Sequence, residues 1–215
     1  MARDKENGAD ARKPSSVSVA GIEAEIKGTT PLLMHNPIQL VDPLSPIKKA
    51  MDKITSKRAR TRSDDEILEL RRLEWLGGLF LDGQGLICMP DDQIQGMIVS
   101  GAKLSRNGGP VASGISVGHT EFIYPGPHEP DELWKLKQYV FSCPARNSGS
   151  SRGGMVIRTR ARFNEWSCSF RIDYSPRAVD FETIKQALED AGRMIGLGDW
   201  HRRFGKFQVV KFAPL

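Results

Sequence analysis

The segment Ile195-Gly196-Leu197-Gly198-Asp199-Trp200-His201-Arg202-Arg203-Phe204-Gly205-Lys206-Phe207 constrains the fold more than any other stretch of the chain. It sits between an amphipathic helical pattern and a short apolar strand. Glycines at 196, 198 and 205 let the backbone take positive φ and come close to a neighbouring chain. The segment therefore reads as a tight helix-to-strand connection rather than as an extension of either element. Exposed backbone N–H groups in such a turn can form an anion-binding nest. Arg202 and Arg203 add charge, and Trp200 and Phe204 offer rings for unpaired bases to stack on. The competing reading is a structural turn whose aromatics, Trp200 above all, plug the core.

Around that anchor the chain parses into strands and helices. Residues 1–16 are polar, charged and aperiodic, which predicts a disordered tail before a single domain over 17–215. Val17 to Thr30 alternates apolar and polar residues and predicts a strand. Prolines at 37, 43 and 46 punctuate the next stretch, and its second half carries Lys48, Lys49, Lys53, Lys57, Arg58, Arg60 and Arg62 against Asp52. This basic excursion reads as extended or partly helical, either a clamp or a solvated loop. Ser63 before Asp64, Asp65 and Glu66 predicts a helix start, with the helix running to about Leu76. Leu86–Met89 predicts a short strand. Pro90 opens a second helix with Ile94, Met97, Ile98, Gly101 and Ala102 along one stripe.

Ile115–Tyr124 and Trp134–Phe141 read as strands, and Asn147–Gly154 as a flexible loop by composition. Met155–Tyr174 reads as the clearest hairpin, turning near Asn164-Glu165. A helix from Asp180, with Phe181, Ile184, Leu188, Ala191 and Ile195 as its stripe, leads into the glycine-rich segment, and a strand over 207–212 follows. With insertions near 35–85 and 105–154 set aside, strand 17–30, helix 90–104, hairpin 155–174, helix 180–194 and strand 206–212 give βαββαβ. That is an α+β, ferredoxin-like order with a basic inserted lobe and a C-terminal glycine-rich loop.

Within the hairpin, Arg158, Arg160 and Arg162 occupy every second position, so a strand places all three on one face and Ile157, Thr159, Ala161 and Phe163 on the other. Such a row suits a track of phosphates, each met by a planar fork of donors; a solvated face is the alternative. A net charge of +5 and a pI near 9.2 are compatible with a polyanionic partner. Cys88, Cys143 and Cys168 are widely spaced and the histidines scattered, which predicts reduced thiols and no zinc site. No phosphate-binding loop, dinucleotide fingerprint, nucleophile elbow or HExxH motif occurs, and no cofactor is expected. The N-terminus has no apolar signal region and no run is long enough to span a bilayer, so a cytoplasmic protein is expected.

The pattern Gly196-Leu197-Gly198, a spacer, then Phe204-Gly205-Lys206-Phe207 resembles the glycine-rich motif of the RAMP superfamily, RNA-binding proteins of CRISPR systems. Here the motif's final glycine is replaced by Phe207, and the spacer is one residue longer than the commonest form. Thr30-Pro31-Leu32-Leu33-Met34-His35-Asn36, Arg158–Phe163 with Trp166, and Gly196–Trp200 together resemble uncharacterised phage and prophage proteins. The resemblance implies an RRM-like ferredoxin fold and copies lined up along single-stranded nucleic acid, with CRISPR-like or phage partner proteins. It also places His35 and Asp42 in the region where some RAMP proteins carry a cleaving residue. The leading expectation is a non-catalytic binder of single-stranded RNA or DNA. It would use Arg158, Arg160, Arg162, the loop residues Gly196, Gly198, Trp200, Arg202, Arg203 and Gly205, and the basic residues Lys48, Lys49, Lys53, Lys57 and Arg58. The alternatives are a metal-independent endoribonuclease using His35, and a phage assembly or host-interaction protein that oligomerises without nucleic acid.

Overall fold

A computed structural model describes residues 18–146 and 154–215. The expected tail at 1–16 and the loop at 147–153 lie outside the described residues. In chain order the elements are β1 (Ala20–Gly28), β2 (Leu32–Met34), α1 (Ile38–Val41), α2 (Pro46–Thr55), α3 (Asp64–Gly77), α4 (Asp91–Leu104), α5 (Gly108–Gly114), β3 (Ile115–Ile123), α6 (Pro130–Lys135), β4 (Val140–Arg146), β5 (Met155–Phe163), β6 (Ser167–Tyr174), α7 (Phe181–Asp190) and β7 (Phe207–Pro214).

The main sheet has the order β3-β6-β1-β7, antiparallel throughout. Ile22, Ala24 and Ile26 of β1 are buried while Glu23 and Lys27 face solvent, the period of two made real. α4 and α7 cover the apolar face with Ile94, Ile98, Ile184 and Leu188. They pack closely because Gly101 leaves no Cβ to strike the Ala187 carbonyl. Taking β1, α4, β3, β6, α7 and β7 in turn gives βαββαβ, so the fold is ferredoxin-like.

A second sheet, β2-β5-β4, lies outside this frame and corrects the expected hairpin. β5 and β6 do not pair. Both edges of β6 are taken by β1 and β3, and both edges of β5 by β2 and β4. The second ferredoxin strand is therefore β3, and the turn at Asn164-Glu165 carries the chain from one sheet to the other. Trp166 anchors that crossing: its indole N–H donates to the Thr30 carbonyl at 2.9 Å.

Two shorter expectations are also corrected. Trp134–Phe141 is mostly α6 and a 3-10 turn at Lys137–Tyr139, started by Pro130 at the first helical turn, with a strand only from Val140. Leu86–Met89 makes a single bridge, Leu81 to Ile87, and no strand. The helix from Ser63 stands where its acids place it, with Ser63 and Glu66 forming a reciprocal capping box.

Candidate nucleic-acid interface

The arginine strand β5 is the middle of the second sheet, and its neighbours decide what each arginine can do. Opposite it on β4, Phe141 pairs with Arg160 and Cys143 with Arg158. β2 stops at Met34, opposite Ala161, and two residues further on the Thr159 N–H donates instead to Glu74 Oε2 of α3 at 3.0 Å. Glu74 is 6% exposed, and its other oxygen accepts from Arg158 Nη1 and Arg160 Nη1, each at 3.2 Å. Arg160 also donates from Nε to Asp199 Oδ2 at 2.9 Å. One guanidinium thus ties together α3, the second sheet and the glycine-rich loop.

This arrangement corrects the expectation that all three arginines hold phosphates. Arg160 is 7% exposed and its donors face carboxylates, so it is a structural cross-link. Arg158 is paired to Glu74 yet 41% of its side chain remains exposed. Arg162 is half-buried, its guanidinium carbon 5.6 Å from the Phe141 ring centroid. Period two gives the three a common face, but only the outer two reach solvent.

The glycine-rich loop is also built differently from an anion nest. α7 ends in a wide π turn over Ala191–Ile195, closed by the Gly196 N–H on the Ala191 carbonyl. Leu197 N–H donates to Gly205, Asp199 N–H to Leu33, Gly205 N–H to Pro31, and Trp200 N–H to Asp199 Oδ1. These donors are spent on Pro31, on β2 and on the loop itself. Gly196, Gly198 and Gly205 have φ of 89°, 82° and 69°. A Cβ on Gly198 would overlap the Leu33 carbonyl, and one on Gly205 the Leu197 carbonyl. Their role is close backbone approach.

What the loop presents to solvent is side chains. Trp200 through Phe204 form a single turn, with the N–H groups of Arg203 and Phe204 both on the Trp200 carbonyl. The rings of Trp200 and Phe204 flank that of Phe141, with centroids 6.2 Å and 5.5 Å from it. They border an open cavity of about 620 Å³ together with Cys143, Asp199, Arg202 and Arg203. Trp200 is 37% exposed, so it is not a core plug. Its φ of 47° is an uncommon conformation for a bulky residue, costing on the order of 1–3 kcal/mol. Arg202 and Arg203 are exposed, and neither has an anionic partner among the described residues.

The basic excursion folds as α1, α2 and a 3-10 turn at Ala59–Thr61. Lys48 is paired with Asp52 and Lys57 with Glu66. Lys49, Lys53 and Arg58 are exposed. Met51 and Thr55 of α2, with Arg62, Arg71 and Arg158, border a cavity of about 480 Å³ at the start of β5. Cys143, which borders the first cavity, lies directly opposite Arg158, which borders the second. A third cavity, about 370 Å³ between α4 and the far side of the loop, is lined by Asp92 and has no lysine or arginine. The open face of the main sheet is no platform either: Glu23, Lys27, Glu121 and Arg171 alternate there without an exposed aromatic ring among the described residues.

His35 follows β2 and lies beside the Glu74–Arg160–Asp199 cluster, its Nδ1 buried without a partner. Asp42 lies further on, accepting from the Leu44 N–H. Burial pushes the His35 imidazole below its ordinary value of 6.5, and the Arg160 charge pushes the same way. Between the folded and unfolded values the unfolded chain holds more protons. Stability is therefore lost as pH falls below 6.5 and through the folded value. His35→Gln is expected to remove that part of the acid loss. Urea melts from about pH 7.5 to about pH 5 in which both proteins weaken in parallel would rule it out.

The sequence reading did not single out Glu74, Asp199 or Phe141. Glu74 had a readable signal: an acid between Leu73 and Trp75, inside the buried part of α3. Asp199 and Phe141 had none beyond their neighbours. Among the described residues, no three His, Cys, Asp or Glu side chains group as metal ligands. No helix there is long and apolar enough to cross a membrane.

No protein-family model matches the sequence, and no curated protein matches it. Among solved structures, the chain is similar to one in the cryo-EM structure of the Type III-B Cmr-beta bound to cognate target RNA. The identity is 14% and the TM-score 0.52, over 93% of this chain and 62% of that one. This chain therefore spans somewhat under two thirds of that chain's length. It is also matched, at 13% identity and a TM-score of 0.31, to Cmr6 from Pyrococcus furiosus, over 89% and 98% of the two chains. What is shared with the first is the fold.

Proposed function

We propose that this chain binds single-stranded nucleic acid, RNA or DNA, across the face formed by β4, β5 and the Trp200–Phe204 turn, without cleaving it. The observation that carries the reading is the charge balance of that face. Its acids, Glu74 and Asp199, are neutralised by Arg158 and Arg160, while Arg202 and Arg203 have no anionic partner among the described residues and border a cavity of about 620 Å³. Net positive charge is thus concentrated on a surface that also offers aromatic rings, the combination that holds a backbone and its bases. Lys49, Lys53 and Arg58 are further exposed cations on and just after α2, a helix whose Met51 and Thr55 border the cavity at the start of β5. The likeness to a chain of the Cmr-beta structure bound to target RNA is consistent with this reading through fold alone.

Each single-strand phosphate contact contributes roughly 0.7 to the slope of log K against log salt. Arg202→Ala/Arg203→Ala is expected to weaken binding of a labelled RNA oligonucleotide and to lower that slope by about 1.4. Fluorescence anisotropy across a salt series measures both, and an unchanged slope would reject the loop as the contact. Assembly of several copies along one strand belongs to the same proposal. Sizing with and without nuclease tests it, and an oligomer that survives nuclease and carries no nucleic acid would favour the assembly reading. For the endoribonuclease alternative, His35 needs a second proton carrier, and the carboxylates nearest it are held in ion pairs. A labelled RNA is expected to stay intact with wild type and with His35→Ala alike.

A further inference from the structure

We infer that the cavity bordered by Phe141, Trp200 and Phe204 is a nucleobase site, taking one unstacked base of the bound strand and making recognition selective for single strands. The inference rests on the proposed binding of nucleic acid to this face and adds what enters the cavity. Three rings from two separate elements converge on it. Phe141 comes from β4, while Trp200 and Phe204 come from opposite ends of one turn, their ring planes 37° apart and Phe141 standing at 86° to Trp200. The volume, about 620 Å³, lies within the range of small-ligand sites, roughly 300–1,000 Å³.

Trp200 supplies the second observation. A bulky side chain at φ 47° is held in an unfavourable backbone conformation, locked by its own N–H on Asp199 Oδ1 at 2.9 Å. The lock leaves the indole 37% exposed instead of packing it away, unlike Trp75 at 1% and Trp166 at 4%. Strained backbone of this kind clusters at active sites and ligand clamps. Arg203, whose guanidinium carbon lies 5.6 Å from the Phe204 ring centroid, stands where it can meet the phosphate next to a base on Trp200. A base paired within a duplex has both faces stacked and cannot offer one to the ring, so the same pocket discriminates against double strands.

The test compares a labelled RNA strand of adenosines with a strand of the same length and charge made of abasic sugar–phosphate units. Stacking of a base on an aromatic ring is worth on the order of tenfold in affinity. Wild type is expected to bind the adenosine strand about tenfold more tightly than the abasic one. Trp200→Ala should bind both strands at the abasic level. Indole fluorescence of wild type should be quenched by the adenosine strand and not by the abasic one, a readout that stands even if the variant folds poorly. Equal binding of the two strands by wild type, or a preference that survives in a folded Trp200→Ala, overturns the base site and leaves the backbone reading in place. Failure of both strands to bind overturns the backbone reading, and the base site with it.

Discussion

Gly205→Ala is expected to lower the stability of the protein by about 3–5 kcal/mol, the sum of left-handed backbone strain in a residue with a Cβ and of an overpacked contact. Gly205 has φ of 69°, and a Cβ there would overlap the Leu197 carbonyl. That carbonyl cannot withdraw, because Leu197 and Gly205 are held to each other through the Leu197 N–H and Gly205 in turn to Pro31. The loop joins the end of the π turn to β2 through the Asp199 N–H on the Leu33 carbonyl, so the strain reaches the core at Leu32 and Leu33, both fully buried. A loss of this size is a large share of a typical total of about 5–15 kcal/mol. Gly96→Ala is the control. Gly96 lies in α4 with nothing within 4 Å of an added Cβ, and the change should stabilise by about 0.4–1 kcal/mol. Urea melts of both variants decide the matter: equal midpoints would show that the loop does not hold the sheet.

The second large effect is expected at Arg160. Removing it in Arg160→Met strands Asp199 without its guanidinium and leaves Glu74 with Arg158 and the Thr159 N–H, and breaking a buried ion-pair cluster costs about 3–5 kcal/mol. Lysine should not rescue it. One ammonium cannot reproduce the fork that reaches Asp199 through Nε and Glu74 through Nη1. Arg158→Ala, at a half-exposed position, is expected to cost about 1 kcal/mol or less. The contrast separates two explanations of any binding defect. A triple Arg158/Arg160/Arg162→Ala variant loses binding through unfolding at Arg160 whether or not the face touches a ligand. Thermal melts of the single variants come first, and an Arg160→Met protein that melts like wild type contradicts the cross-link.

Much of the fold was legible from the chain because its signals are local. Ser63 and its following acids mark the start of α3, the apolar stripe of α7 appears at helical spacing, and β1 alternates with the period of a strand. The glycines of the loop were equally legible as positions of positive φ and close approach. The partners of β5 were not. Alternation tells which residues share a face but not which strand lies at each edge, and β6 filled both of its edges with β1 and β3.

The three arginines mark where the division falls. The sequence by itself determined that Arg158, Arg160 and Arg162 share one face of a strand, and that the loop before the last strand needs Gly196, Gly198 and Gly205. Only the tertiary structure decided that Arg160 is sealed between Glu74 and Asp199, and that Phe141 joins Trp200 and Phe204 around a cavity. The physical reason is range. A dihedral preference or a period of two is written within a few residues, whereas burial of Arg160 depends on Glu74, 86 positions away in the chain, and on Asp199, 39 away. No local pattern carries that distance.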